Sequence, residues 1–199
     1  MKYAGAGSFQ RNRPLLSFAA GYAGRMADYS FRIATQDDIQ AITDIYNAAV
    51  IRGGSSADTT PRTYAQRKAW VESHHDPYAV FVTTVPATDA ATEGGERIIG
   101  FSALSVFYDR AGYDGVTDLA YYIAPEWQGR GAGTFTLAKL LDECRNRHMR
   151  KVCGIIFADN RGSIALMKHF GFTQFGLMPQ AATDSTGTMR DMSYWHLDL

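Results

Sequence analysis

The chain contains few of the residues that staple a protein or anchor it in a membrane. It has two cysteines in 199 residues, Cys144 and Cys153, in segments with the patterns of a helix and a buried strand. Neither their number nor their spacing fits a disulfide scaffold or a metal site, so we predict reduced core thiols and no metal. No stretch reaches the roughly 18 consecutive apolar residues of a transmembrane helix, so no membrane partner is expected.

The sequence also lacks an excess of charge of either sign. Twenty basic residues balance twenty acidic residues, so no overall field attracts nucleic acid or anionic lipid, and no nucleic-acid partner is expected. Hydrophobic residues make up 46% of the chain and charged residues 20%, a composition typical of folded globular proteins. We expect a cytoplasmic protein.

Residues 1–29 differ in composition from the rest of the chain. They are rich in glycine, alanine and serine, and their first acidic residue is Asp28. A basic, acid-poor N-terminus is typical of a targeting segment, but Met26, just before the first regular element, also fits an upstream start or an added leader. We predict an N-terminal extension over 1–29, disordered or a leader, and a single domain over 30–199.

The order of the predicted elements indicates one α/β domain. Strand patterns cover about 31–34, 79–84, 97–107, 116–124, 152–157 and 189–199, helical patterns cover about 39–49, 63–71, 131–148 and 160–170, and a loop covers 86–96. The order β-α-α-β-β-β-α-β-α-β has no internal repeat. It predicts a single mixed sheet with helices on both faces.

The most informative stretch runs from Tyr121 to Gly133, where a strand turns into a helix. Gly129, Gly131 and Gly133 fall within five positions, and glycine lets a backbone approach a ligand without a Cβ in the way. The first amides of a helix have no partners within it and lie at its positive end. The stretch therefore predicts an anion site suited to a pyrophosphate, where Arg130 can add charge-assisted hydrogen bonds.

Other glycine-rich nucleotide motifs do not fit this stretch. A dinucleotide fingerprint needs G-x-G-x-x-G after an early strand, and a P-loop needs G-x-x-x-x-G-K-[ST]. Neither spacing is present. The remaining alternative is a loop that merely turns tightly, and the agreement of five fixed positions argues against it.

The loop motif and several other segments resemble one family. Gln128, Gly131 and Gly133 fill the specified positions of Q/R-x-x-G-x-G/A, and with this motif the sequence resembles the GNAT acetyltransferase superfamily. Its phosphinothricin and methionine sulfoximine acetyltransferase branch is resembled in four further places: 45–50 (IYNAAV), Trp70, the strand end at 122–125, and 171–172 (GF) followed by 178–180 (MPQ). The similarity spans roughly 30–199 and implies the GNAT fold, with a largely antiparallel sheet. It also implies acetyl-CoA-dependent acetylation of the amine of a small amino acid or amino-acid analogue.

The resemblance also assigns positions that bind coenzyme A. They lie at the strand end, along the loop and at the starts of two helices: Tyr122, Ile123, Ala124, Gln128, Gly129, Arg130, Gly131, Ala132, Gly133, Thr134, Asn160 and Ser163. Asn160 resembles the family residue that hydrogen-bonds the pantetheine arm, and it also has the sequence of a helix N-cap. A backbone amide near Tyr122 or Ile123 is the expected donor to the oxygen of the tetrahedral intermediate.

Acetyl transfer needs a neutral amine, whereas free alkyl amines are mostly protonated at neutral pH. The branch places an acidic general base, usually glutamate, at the position of Asp118. We predict Asp118 as the catalytic base, acting directly or, because its side chain is shorter, through one water. A structural pairing of Asp118 with a core arginine or a backbone amide is the alternative. Many superfamily members protonate the leaving thiolate with a tyrosine, which is Met167 here, so this donor is missing.

For the acceptor, the resemblance points to Arg110 and Tyr113, which match an Arg-x-x-Tyr pair near the substrate in this branch. A guanidinium fork binds a carboxylate or phosphinate bidentately. A solvated loop charge is the alternative for Arg110, and Arg52 is a weaker candidate.

Four other chemically active residues receive no role in the predicted site. His74 and His75 have no further metal ligands nearby in the sequence and are interpreted as surface residues. Tyr46 and Trp70 fall at helical spacing on apolar faces and are interpreted as core residues.

Two other functions remain open from the sequence. One is acetylation of a different amine, such as a polyamine, an aminoglycoside or a protein N-terminus. The other is a catalytically silent acyl-CoA-binding module, because the tyrosine is missing and the acid is short. The resemblance further implies a homodimer.

Overall fold

The computed structural model describes residues 28–87 and 95–199. Almost all of the predicted N-terminal extension lies outside the described residues, as does most of the predicted loop over 86–96. Tyr29, which the sequence assigns to the extension, is described and contacts the domain.

The described residues form seven strands and four helices. The strands are β1 (Ser30–Ile33), β2 (Ala79–Pro86), β3 (Glu96–Val106), β4 (Val116–Ile123), β5 (Lys151–Phe157), β6 (Thr173–Thr183) and β7 (Met189–Asp198). The helices are α1 (Ile39–Arg52), α2 (Tyr64–Glu72), α3 (Ala132–Asn146) and α4 (Arg161–His169). Every predicted helix and strand is present.

All seven strands belong to one sheet in the order β1-β2-β3-β4-β5-β7-β6. Only the β4–β5 pair is parallel, and the other neighbours are antiparallel. This arrangement confirms the prediction of a mixed, largely antiparallel sheet.

The parallel pair at the centre of the sheet is short. Pairing between β4 and β5 covers only 116–118 of β4 and 151–153 of β5, although β4 continues to Ile123 and β5 to Phe157. The two strands therefore separate beyond Asp118 and leave an opening in the middle of the sheet.

Each face of the sheet is covered by one pair of helices. Helices α1 and α2 pack on the alternate residues that include Phe101, Ala103 and Tyr122. Helices α3 and α4 pack on the opposite set, which includes Leu104, Leu119 and Tyr121. Because successive strand residues point to opposite faces, neighbouring residues of β4 belong to different cores.

Short polar motifs start the helices as the sequence predicts. Thr35 and Asp38 form a capping box at the turn that leads into α1, and Thr63 and Gln66 form one at α2. Each motif satisfies amides that the first helical turn leaves free. The cysteine prediction is also confirmed, because Cys144 and Cys153 are free and buried.

Strand β6 is absent from the sequence prediction. It contains Gly176 and Pro179, and a proline within a run argues against a strand. The structure accommodates Pro179 at the edge of the sheet, where the register with β7 shifts between Met178 and Ala182. Gln180 has a φ of 48° there, and its amide donates to Asp191 Oδ1 at 2.8 Å. The prolyl residue therefore lies in a bulge that needs no ladder hydrogen bond.

The β6–β7 turn is fastened to α1 by one buried carboxylate. Asp184 accepts hydrogen bonds from the hydroxyl of Thr186, the guanidinium of Arg190 and the amide of Gly54. The Thr186 and Arg190 hydrogen bonds hold the pKa of Asp184 well below its usual range. Asp184 therefore stabilises the fold at neutral pH.

Replacement of Asp184 by alanine should lower the melting temperature at neutral pH by roughly 5 °C, because it removes the buried acceptor of several partly buried donors. A depressed carboxyl pKa contributes stability above the unfolded value near 3.8, and this contribution is lost as the pH falls. The difference should thus shrink in acid. Asp142→Ala, at an exposed position of α3, is the control for thermal unfolding, and equal losses in both variants would contradict the anchoring role.

No helix among residues 28–87 and 95–199 is both long and apolar enough to span a membrane.

Candidate active site

The glycine loop follows β4 directly. A short 3-10 turn covers Pro125–Trp127, and Gly129 and Gly131 then have φ angles of 73° and 90°. Residues other than glycine rarely adopt such angles. A Cβ added at either glycine would have no atom within 4 Å, so this side of the loop is open to a ligand.

The start of α3 presents a set of free amides. Gly131 is its N-cap, and no side chain caps the helix. The first helical hydrogen bond recorded here runs from the amide of Phe135 to the carbonyl of Gly131 at 3.0 Å. Within the described part of the chain, the amides of 129–134 donate no hydrogen bond. Amides at a helix N-terminus can bind phosphate groups, so this helix start has the geometry that the predicted anion site requires.

Side chains from three parts of the chain hold this loop in place. The Gln128 amide nitrogen donates to the carbonyl of Ile123 at 2.9 Å, and its oxygen accepts from Arg52 at 3.0 Å. Tyr29 donates to the carbonyl of Arg130 at 2.8 Å. Gln128 thus stabilises the loop. Arg52, the weaker candidate for binding the acetyl acceptor, instead donates a hydrogen bond to Gln128.

Helix α4 borders the opening between β4 and β5. Its N-cap is Asn160, whose side chain accepts from the amide of Ser163 at 3.1 Å, so the capping role is confirmed. Met167 is fully buried one turn further along. Ile123, Ala124 and Ala132 line the strand end and the helix start, while Thr134 is exposed.

Asp118 lies where β4 leaves β5, with its side chain on the face covered by α1 and α2. Its register partner on β3 is Ser105. The Oδ1 atom is buried and has no hydrogen-bond partner among the described residues. Burial raises the pKa of Asp118 to about 7, and a hydrogen bond from the Leu119 amide lowers it only partly. No arginine pairs with it in the described ranges, so the core ion pair is not observed. The Leu119 hydrogen bond is the other part of the structural alternative, a pairing with a backbone amide.

His74, predicted to be a surface residue without a role, is half-buried beside Ser105, the register partner of Asp118. Its Nδ1 lies 2.7 Å from the carbonyl of Trp70 and its Nε2 lies 2.9 Å from the hydroxyl of Ser105. Since a carbonyl only accepts, Nδ1 carries the proton and Nε2 accepts from Ser105. Burial lowers the pKa of His74, which favours this neutral form. His75 is exposed, as predicted.

An aromatic cluster with a buried cation lies on the same face of the sheet as Asp118. Tyr46 donates to Asp58 at 2.6 Å, and the guanidinium of Arg67 lies 3.9 Å from the centroid of the Tyr46 ring and 4.6 Å from that of Trp70. Tyr46 is buried, as predicted.

Arg110 and Tyr113 share the loop between β3 and β4. Both are exposed, and the amide of Tyr113 donates to the carbonyl of Arg110 at 2.8 Å. The Arg110 guanidinium lies 5.8 Å from the ring centroid of Tyr108. The structure thus brings the pair onto one exposed turn just before β4, with no hydrogen bond to Asp118 recorded in the described residues.

Groups of three or more histidine, cysteine, aspartate or glutamate side chains that could hold a metal are not found among the residues that the structure describes.

In the described residues, the sheet opens at the parallel β4–β5 pair, next to a glycine loop with free helix amides. This combination is typical of a protein that binds a ligand with a diphosphate group. The family model described as "Acetyltransferase (GNAT) family" matches residues 39–172, more than half of the chain. The chain belongs to this family, and it is an acetyl-CoA-dependent N-acetyltransferase.

Characterised relatives are similar over most of their length. The chain is 30% identical over 152 residues to a phosphinothricin N-acetyltransferase of Streptomyces coelicolor, covering 75% of this chain and 85% of the relative. It is 28% identical over 171 residues to an L-methionine sulfoximine/L-methionine sulfone acetyltransferase of Pseudomonas aeruginosa, covering 85% and 94%. A crystal structure of a phosphinothricin acetyltransferase from Sinorhizobium meliloti with acetyl-CoA aligns with a TM-score of 0.74 and 26% identity, covering 86% of this chain and 88% of that one.

Proposed function

We propose that this enzyme acetylates the amine of a small amino acid or amino-acid analogue by direct transfer, with Asp118 as the general base. The observation that carries the proposal is the buried Asp118 carboxyl, whose Oδ1 atom has no hydrogen-bond partner among the described residues, at the point where β4 separates from β5. The strand that bears it leads directly into the glycine loop. The proposed base and the coenzyme loop therefore lie close together along the chain, on β4 and directly after it.

The described residues fit acetyl-CoA. The free amides of 129–134 and the positive end of α3 suit the diphosphate, and exposed Arg130 adds charge there. The opening between β4 and β5 leaves the unpaired edge of each strand to the pantetheine arm, with Asn160 and Ser163 on its α4 side. The backbone at Tyr122 and Ile123 would face the thioester oxygen.

The environment of Asp118 suits proton abstraction. A pKa of about 7 keeps a useful fraction ionised at neutral pH and matches the basicity that an efficient general base needs. As the amine nitrogen attacks the acetyl carbon, its proton passes to Asp118, directly or through one water. The thioester C–S bond then breaks and its electron pair leaves with sulfur.

The relatives support a carboxylate-bearing acceptor, because the printed activities of two of them concern phosphinothricin and methionine sulfoximine or sulfone. Arg110 and Tyr113 are the proposed acceptor residues, with the guanidinium binding the acceptor's carboxylate. We also retain the predictions of a homodimer, to be measured by light scattering, and of a cytoplasmic location.

A panel of acceptors in a thiol-release assay with acetyl-CoA tests the proposal. Methionine sulfone, methionine sulfoximine and phosphinothricin should react with kcat/KM roughly 10- to 100-fold above a polyamine, an aminoglycoside or a peptide N-terminus, because these amines lack the carboxylate that a charge-assisted hydrogen bond from Arg110 would recognise. Arg110→Gln should raise KM for the carboxylate acceptors by roughly tenfold, the value of one charge-assisted contact, and should leave an amine without a carboxylate unaffected.

Arg145→Gln, at an exposed position of α3, is the matched control and should behave as wild type. Preference for a polyamine or a peptide would replace the proposed acceptor class. Coenzyme binding without any thiol release across the panel would contradict the proposal as a whole.

A further inference from the structure

Tyr121 carries a buried hydroxyl group with no use in the fold. The residue lies on β4, on the face covered by α3 and α4, and packs against that core. Its Oη atom is buried and has no hydrogen-bond partner among the described residues. An unsatisfied buried hydroxyl costs free energy, so a native structure that keeps one usually assigns it a ligand or a catalytic task.

The position of Tyr121 places this hydroxyl at the opening in the sheet. Pairing of β4 with β5 ends at Asp118, and Tyr121 lies three residues further along the separated part of β4. Burial raises the pKa of this phenol, and the Ser163 hydroxyl at the start of α4 lowers it in part as a weak donor to the phenol oxygen. The O–H of Tyr121 itself has no acceptor among the described residues. The phenol thus sits between β4 and α4, on the side of the opening that also presents Asn160.

The neighbouring position on α4 supplies no proton. Met167 lies one turn after Ser163 and is fully buried. A Cβ built at Gly154 of β5 would be 3.6 Å from the Met167 sulfur and 3.8 Å from Leu119 Cδ1. Leu119, two residues before Tyr121, and Met167 therefore both border Gly154 within the same core cluster. The same strand face continues from this cluster to the Tyr121 phenol.

We infer that the Tyr121 hydroxyl donates a hydrogen bond to the sulfur of coenzyme A as the thioester breaks, and so takes the place of the donor that Met167 cannot provide. Asp118 and Tyr121 lie on opposite faces of the same strand. The base therefore meets the amine from the α1/α2 side while the phenol meets the sulfur from the α3/α4 side.

The chemistry of the step is balanced by these two groups and solvent. The amine nitrogen bonds to the acetyl carbon and gives its proton to Asp118. The C–S bond breaks, its electron pair moves to sulfur, and the Tyr121 O–H stabilises the resulting thiolate without losing its proton. Burial raises the pKa of Tyr121 to about 12, so the phenol stays protonated. The thiolate takes a proton from solvent on release.

Tyr121→Phe tests the inference by removing one oxygen atom. We expect kcat to fall by on the order of tenfold to a hundredfold, less than for an oxyanion-hole donor because sulfur is a weaker acceptor. The KM for acetyl-CoA should change little. Tyr78→Phe is the matched control, since Tyr78 is a partly buried tyrosine against the same core cluster and has no part in the site.

A titration of bound coenzyme A separates this role from a structural one. The thiolate absorbs in the ultraviolet, so the pKa of the bound thiol can be measured without any acceptor or turnover. A hydrogen bond to the thiolate should make this pKa about one unit or more lower in the wild type and in Tyr78→Phe than in Tyr121→Phe.

Two results would overturn the inference. One is an identical pKa of the bound thiol in the wild type and in Tyr121→Phe. The other is a rise in the KM for acetyl-CoA with an unchanged kcat, which would assign Tyr121 to ground-state binding only. The pKa of the bound thiol does not depend on which amine is acetylated, so its outcome is separate from that of the proposed acceptor.

Discussion

Asp118→Asn is expected to lower kcat/KM by about 10²- to 10⁴-fold, the range that a positioned general base contributes. The amide has nearly the same shape but cannot take the proton of the attacking amine. In the wild type, kcat/KM should fall as the pH drops through about 7, because the catalytic form is the ionised carboxylate. This limb should vanish in the variant and leave only the ionisation of the acceptor amine.

Asp118→Asn should lose activity without losing stability, and its melting temperature checks this. The folded pKa of Asp118 lies above its unfolded value near 3.8, so ionisation costs the folded state stability, increasingly from about pH 4 to pH 7 and constantly above. The variant should melt no lower than the wild type at about pH 8. Asp114→Asn, an exposed position on the same segment, should keep full activity. Unchanged turnover in Asp118→Asn would exclude the base role.

Gly131→Asp is expected to weaken coenzyme A binding by about 100-fold or more, which corresponds to about 2.7 kcal/mol. The new carboxylate would lie at the N-cap of α3, against the diphosphate. Two like charges about 4 Å apart near a protein surface repel by about 4 kcal/mol. Aspartate is among the residues that tolerate a positive φ, so charge is the main perturbation. Isothermal calorimetry measures the dissociation constant.

Gly187→Asp is a control of the same chemistry. Gly187 has a φ of 78° and open space at its Cβ, as Gly131 does, but it lies in the turn between β6 and β7. It should bind coenzyme A as the wild type does. Equal dissociation constants for Gly131→Asp and the wild type would place the diphosphate elsewhere.

Elements with a strong local pattern could be predicted from the sequence. The capping pairs Thr35/Asp38 and Thr63/Gln66 mark helix starts in the structure. The glycines at 129 and 131, predicted to let a ligand approach the backbone, adopt positive φ angles that favour glycine. Strand β6 could not be predicted, because Pro179 is tolerated only through a bulge against β7. That tolerance is a property of the sheet edge, and the local sequence does not carry it.

The site was predictable where it is contiguous in the chain and not where it is assembled through space. The segment 121–133 carries its own signature. The contact between His74 and Ser105 spans 31 positions, and no local pattern in the sequence links the two residues. The significance of Tyr121 depends on its missing partner, which no sequence pattern records.

The short β4–β5 pairing also affects the stability of the folded enzyme. In the described residues, strands β1–β4 and strands β5–β7 are joined in the sheet by three residue pairs. The two parts of the sheet therefore have few backbone hydrogen bonds between them. A coenzyme bound between β4 and β5 would contact both parts of the sheet and would oppose their separation. Binding to the folded state alone raises stability with ligand concentration, so the melting temperature of this enzyme should rise as coenzyme A, acetylated or free, is added.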